Sequence, residues 1–188
     1  MRIVGGQFRG RRLAAPAAND QRTRPTTDRT RETLFNILEH RFGDKVGGAR
    51  VIDLFAGTGA LGCEAISRGA SFCLFVEPAG HARALIRKSI ETLQLQGVTQ
   101  LFRRDATRMG PIGTMKPFDV AFADPPYGKG LGDRTLVSLA EGGWLSDSSI
   151  VVLEEHAASD VALPDHYVLR EQRSLGETKL RFLEYSLP

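Results

Sequence analysis

The sequence predicts an α/β protein built on a doubly wound, seven-stranded sheet, mostly parallel and closed at one edge by an antiparallel hairpin. Three observations predict it. From residue 50 onward, short continuous apolar runs alternate with segments of helical period, the signature of parallel strands covered on both faces. Four successive runs end at an acid, Asp53, Glu77, Asp105 and Asp124. From Tyr167 the pattern changes to two extended runs either side of Gly176, which reads as a hairpin.

Taken in order, residues 2–13 read as a small β-hairpin, Arg2–Val4 and Phe8–Leu13 around Gly5-Gly6. A loop of small and polar residues follows to Gln21. Arg24-Pro25-Thr26 is extended, since the residue before a proline is held out of the helical region. A helix starts after Thr26 or Thr27, whose hydroxyls suit an N-cap, with Asp28 and Glu32 favouring its positive end. It repeats Leu34, Ile37 and Leu38 at helical spacing and stops at Gly43. Gly47-Gly48 marks off an extension (residues 1–46) from the main unit (residues 47–188).

In that unit the strands are Arg50–Phe55, Phe72–Glu77, Gln100–Asp105, Phe118–Asp124 and Ile150–Glu155. The helices are Ala60–Arg68, closed by Gly69; Gly80–Gln96, stopped by Gly97; and Thr135–Leu145. Tyr167–Arg173 and Lys179–Ser186 form the closing hairpin.

With 188 residues, 41% hydrophobic and 25% charged, the chain suits one globular unit with an ordinary core. No apolar run is long enough for a membrane helix, and Met-Arg-Ile-Val-Gly-Gly lacks a signal-peptide core. A cytoplasmic protein is expected. Cys63 and Cys73 then serve as reduced, small apolar fillers. Neither they nor the four histidines, His40, His81, His156 and His166, show metal-ligand spacing, so no metal is expected. The net charge of +3 is unevenly spread. Residues 1–31 hold eight arginines against Asp20 and Asp28, a balance of +6, which leaves −3 on the rest. A basic arm on a mildly acidic body points to a polyanion partner.

Sheets of this class bind ligands beyond the C-terminal strand ends, where strand order reverses. Gly57-Thr-Gly-Ala-Leu-Gly62 formally matches a dinucleotide loop, but Asp53 stands four residues before Gly57. A carboxylate there repels a diphosphate and suits a ligand bearing an ammonium and a sulfonium. The glycines let backbone approach that ligand closely. Glu77 is placed to accept two ribose hydroxyls, and Asp105, followed by the small Ala106, the exocyclic amine of an adenine. Phe118 to Tyr127 then delivers Asp124-Pro-Pro-Tyr to a strand end. A carboxylate, a carbonyl outside any ladder and an aromatic ring together suit a flat group bearing an –NH2.

Asp53-Leu-Phe-Ala-Gly-Thr-Gly, Glu77-Pro, Asp105-Ala and Asp124-Pro-Pro-Tyr resemble the motifs of class I S-adenosylmethionine-dependent methyltransferases, whose sheet is Rossmann-like. More narrowly, the chain resembles the bacterial 16S ribosomal RNA guanine-N2-methyltransferases. That likeness rests on Arg2-Ile-Val-Gly-Gly-Gln-Phe-Arg-Gly-Arg-Arg-Leu, Arg24-Pro-Thr-Thr-Asp-Arg-Thr-Arg-Glu-Thr-Leu-Phe-Asn and Gly176-Glu-Thr-Lys-Leu. It implies S-adenosyl-L-methionine held by Asp53, Phe55, Ala56, Gly57, Gly59, Glu77, Pro78, Asp105, Ala106 and Asp124, and a catalytic set of Asp124, Pro125, Pro126 and Tyr127. The partner it implies is 16S ribosomal RNA or the assembling 30S subunit. Arg2, Arg9, Arg11, Arg12, Arg24, Thr26, Arg29 and Arg31 are the expected RNA contacts of a monomeric enzyme.

Arg24-Pro25-Thr26 either overlies the pocket or simply leads into the helix. Asp-Pro-Pro-Tyr is shared with enzymes that methylate DNA adenine or other bases, so that reading stays open, although 188 residues leave no obvious target-recognition domain. A non-enzymatic nucleic-acid binder is disfavoured, having no use for a carboxylate facing an anion. Asp53 disfavours a dehydrogenase.

Overall fold

The computed structural model describes residues 1–16, 27–126 and 129–187. In chain order the elements are α1 (Asp28–Arg41), β1 (Arg50–Leu54), α2 (Ala60–Ser67), β2 (Phe72–Val76), α3 (Gly80–Leu93) and β3 (Thr99–Phe102). A 3₁₀ turn (Ala106–Arg108), β4 (Phe118–Ala123), α4 (Leu131–Glu141), β5 (Leu145–His156), β6 (Tyr167–Leu175) and β7 (Thr178–Tyr185) follow. The strands form one seven-stranded sheet in the order β3-β2-β1-β4-β5-β7-β6. β1 to β5 are parallel, and β7 pairs antiparallel with both β5 and β6.

Alternation along the strands divides the core. Val51, Cys73, Phe75, Val120 and Phe122 pack on the face shared with α1, α2 and α3. Ile52, Leu54, Leu74, Val76, Ala121 and Ala123 face the layer of α4, with Leu136, Leu139 and Trp144. Trp144 is buried there, stacked on Phe118 at 6.2 Å, and its Nε1 donates to the Gly110 carbonyl at 2.7 Å. Ile3, Leu13, Leu34, Phe35 and Leu38 of the N-terminal extension belong to the first cluster, so extension and sheet share one core.

The hairpin at the N-terminus is a single bridge, Arg2 to Arg12, and its reversal is spread over residues 5–10 instead of Gly5-Gly6 alone. Thr27 caps α1, its Oγ1 accepting from Thr30 N at 3.1 Å. Several boundaries differ from those predicted: α3 and β3 each end three residues early, at Leu93 and Phe102, α4 ends at Glu141 and not Leu145, and two starts move as well. α4 starts at Leu131, four residues before Thr135, because Gly130 at φ 59 turns the chain into the helix and Thr135 Oγ1 is satisfied inside it by Leu131 O. β5 starts at Leu145, its polar stretch absorbed by Ser148 at φ 58 and by a register shift between Phe118 and Val120. The expectations for Arg22, Arg24, Pro25, Thr26 and Tyr127 lie outside the described residues.

Candidate active site at the sheet switch point

Strand order reverses between β1 and β4. Leu54 is in register with Val76 on one side and Ala123 on the other. The next residue on each strand, Phe55, Glu77 and Asp124, therefore stands at one level on three neighbouring strands. The Gly57–Gly59 turn arches over this rim in left-handed backbone, with φ of 56 at Phe55, 55 at Gly57 and 75 at Gly59. A bulky side chain at positive φ costs on the order of 1–2 kcal/mol, and strain of this kind gathers at ligand-binding turns.

Two carboxylates hold the turn. Glu77 Oε2 accepts from Gly57 N at 2.9 Å and Oε1 from Ala79 N at 2.8 Å. Each oxygen keeps a second lone pair, and the residue is 8% exposed, enough to meet a ligand at the rim. Arg83 donates to the carbonyls of Glu77 and Pro78, fixing the far side of the same corner.

Asp53 corrects the expectation placed on it. It is one residue short of the strand end, 2% exposed, and turned toward α2, where Oδ2 accepts from Gly62 N at 2.9 Å. Gly59, the N-cap of α2, has no side chain to satisfy that donor, and Asp53 does so from below. Burial pushes its carboxyl up to about 8; the Gly62 bond opposes this and the Glu77 charge adds to it. Its bond to Gly62 N makes it a brace beneath the turn. Cys63 and Cys73 lie buried on the same face, and burial raises both thiols, Cys63 to about 12. A Cβ on Gly62, the third residue of α2, would lie 2.3 Å from the Phe75 ring and 2.6 Å from Cys73 Sγ, so only glycine lets the helix pack this close to β2.

Asp105 is three residues beyond β3, not at its end as predicted. Its Oδ1 caps the 3₁₀ turn, accepting from Thr107 N at 2.9 Å and from the Thr107 hydroxyl at 2.8 Å. The Thr107 N–H is the main cause that holds this carboxyl below its usual range, so it stays anionic and exposed, with Ala106 buried beside it. Asp124 is half-buried, Pro125 buried and Pro126 exposed. The ladders to β1 and β5 both end one residue earlier, at Ala123.

The pieces fit S-adenosyl-L-methionine: a left-handed glycine turn in which a Cβ on Gly59 would crowd Ile86 at 3.1 Å and Phe75 at 3.2 Å. Beside it stand an acid at the β2 end and an exposed acid after β3 whose pKa is held low. Among the described residues no group of three or more His, Cys, Asp or Glu is placed to hold a metal.

The basic arm is a docked element. Glu64 of α2 is fully buried and takes Gly5 N at 2.7 Å and Arg68 Nε at 2.9 Å on Oε1, and Val4 N at 2.9 Å on Oε2. Ser67 accepts Phe8 N on Oγ at 3.0 Å and Gln7 N on its carbonyl at 2.8 Å. Arg2, Arg9, Arg11, Arg12 and Arg29 are exposed. Arg31 is not: it is wholly buried, donating to the Arg2 carbonyl and, at 2.7 Å, to Asp28, with Nε 4.0 Å from Glu64. It is a structural cation, and the expectation that it grips RNA is withdrawn. Glu64, Ser67 and Arg83 carry no sequence signal; only the Gly5-Gly6 pair hinted at the close approach that Gly6 makes to the Ser67 carbonyl.

Comparison with known proteins agrees with this geometry. The chain is 34% identical to ribosomal RNA small subunit methyltransferase D of Escherichia coli K12 over 98% of its own length and 89% of that protein's. It is 30% identical to the protein of the same name from Haemophilus influenzae, covering 98% of this chain and 93% of that one. The solved structure of the yhhF protein of Escherichia coli superposes with a TM-score of 0.84 at 31% identity, covering 100% and 99% of the two chains. Residues 1–184 match the family described as conserved hypothetical protein 95, and the chain belongs to that family, the one that includes ribosomal RNA small subunit methyltransferase D.

Proposed function

We propose that this protein is an S-adenosyl-L-methionine-dependent methyltransferase that modifies the exocyclic N2 amine of a guanine in small-subunit ribosomal RNA. The observation that carries the reading is the alignment of Glu77 and Asp124 at one level across the switch point, on either side of the Gly57–Gly59 turn. S-adenosyl-L-methionine supplies an electrophilic methyl group on a sulfonium. Glu77 is assigned to the ribose hydroxyls and Asp105 to the adenine amine, with Phe55, Ala56, Pro78 and Ala106 as walls.

An aromatic amine is a poor nucleophile because its lone pair is delocalised into the ring. Asp124 and the Pro125 carbonyl accept its two N–H groups, which favours a pyramidal nitrogen and stabilises the positive charge it acquires. Tyr127 is assigned to stacking on the base, a contact of about 1–3 kcal/mol. Fixed acceptors and a stacked ring together supply orientation. The target must lie in a loop or leave its stack to reach the strand ends.

We assign the protein action as a monomer on 16S RNA or the assembling 30S subunit. We assign residues 1–46 to RNA grip and residues 47–188 to methyl transfer. No helix among the described residues is long and apolar enough to cross a membrane, and a cytoplasmic site suits the substrate. Replacing Asp124 with Ala should lower turnover roughly 10²–10³-fold while leaving cofactor affinity nearly intact. Single-turnover methylation of a small-subunit RNA fragment tests this, and a rate within a few-fold of the parent removes Asp124 from catalysis.

A further inference from the structure

The docked arm reaches the mouth of the site with its first residue, Met1, whose Sδ accepts from the Thr58 hydroxyl at 3.6 Å, and extends away from it. Its turn is bonded to Ser67, the last residue of α2, while the Gly57–Gly59 turn precedes the first. On the other side Ala14 N donates to Ser89 Oγ at 3.0 Å, and Arg11 donates to the Thr92 carbonyl at 3.2 Å. Both partners lie in the second half of α3, which starts at Gly80, three residues past Glu77. From Gly80 to Thr92 the helix rises about 18 Å at 1.5 Å per residue. Arg11, with Arg9 and Arg12 near it in the hairpin, therefore stands a helix length away from the rim.

The ground between is basic. Arg87 and Lys88 are exposed on α3, adjacent to Ser89 in sequence and about one turn before Thr92. Glu91, also exposed and four residues after Arg87, is the acid on this stretch and offsets one of the charges in part.

Resting on the reading above, we propose that the RNA runs down this flank, with Arg87 and Lys88 joining the arginines of the hairpin in one phosphate track. The substrate class is then an RNA that extends about 18 Å from the target base, not a short single strand that merely contains it. At about 3.4 Å per phosphate along a stacked strand, the track accommodates about five nucleotides. Docking through Glu64 and Ser67 keeps the arm's part of the track in register with α3.

The test is the double variant Arg87→Glu, Lys88→Glu, both surface positions, measured on two RNAs: a small-subunit fragment of about 40 nucleotides and one of about four nucleotides centred on the target base. On the long RNA the log–log salt slope of binding should become shallower by roughly 1.4–1.8, and KM should rise at least about tenfold. On the short RNA variant and parent should coincide. An unchanged slope on the long RNA, or an equal loss on both, overturns the track. Failure of the parent protein to bind or methylate either RNA is a different result: it removes the ribosomal RNA reading itself, and this proposal with it.

Discussion

Replacing Glu64 with Gln probes the joint between arm and enzyme. The carboxylate is 0% exposed and has two oxygens facing three N–H donors, with the Arg31 guanidinium also near. Glutamine keeps one oxygen, which can go on serving Gly5 N and Arg68 Nε. Its amide then points two hydrogens at the N–H of Val4, leaving a buried donor unmet at about 1–3 kcal/mol. The buried Arg31 also loses its countercharge, and breaking such a pair costs about 3–5 kcal/mol when nothing relaxes. Asp28, 2.7 Å from Arg31, remains and takes up part of that loss. The two contributions overlap, so about 3 kcal/mol is expected, or roughly 6–12 °C in Tm for a chain of this size. Urea unfolding gives the free energy. Anisotropy with a long RNA should show weaker binding at temperatures where the variant is still folded. A loss below about 0.5 kcal/mol, with RNA affinity intact, would refute the view of Glu64 as the clamp.

Two further predictions concern the acids. Asp53 holds its proton up to about pH 8 when folded, against an ordinary value of 3.8, so it favours the native state fully below about pH 4 and progressively less as pH rises toward 8. Asp53→Asn keeps an acceptor for Gly62 N without a charge, so its Tm should gain on the parent between about pH 5 and 8; parallel Tm curves would exclude this titration. Glu77→Ala removes the acceptors of Gly57 N and Ala79 N together with the proposed ribose contact, and S-adenosyl-L-methionine should bind at least about tenfold more weakly by calorimetry. Equal affinity would place the ribose elsewhere.

The central strands β1, β2 and β4 were legible because each is a short, mostly apolar run of a length that suits burial on both faces, and the acids were legible because they stand at or near the ends of such runs. Burial of charge was not. Arg31 and Arg29 are two residues apart and read alike, yet one lies in the core and the other in water, since only the packing of α1 on the hairpin decides which way each points. Asp53 was misread for a related reason. A strand's last residues alternate between faces, and position 53 belongs to the face of Val51, toward α2. The starts of α4 and β5 were missed because Gly-Lys-Gly-Leu-Gly-Asp and Ser-Asp-Ser-Ser look like loops. The Gly130 turn and the Thr135 to Leu131 bond make the first regular, and the Ser146 Oγ to Asp119 bond at 2.9 Å helps make the second so.

The partition of the core also sorts the chromophores. The only tryptophan, Trp144, and two of the three tyrosines, Tyr167 and Tyr185, pack in the layer of α4, whereas the cluster under the hairpin contains neither residue type. Near-ultraviolet emission therefore watches one half of the molecule: the indole stacked on Phe118 and bonded to the Gly110 carbonyl reports on the N-terminal end of β4, while loosening of the N-terminal hairpin passes in the dark. Apparent melting curves read by intrinsic fluorescence and by amide circular dichroism need not coincide, and their divergence would time the detachment of the arm from the loss of the sheet.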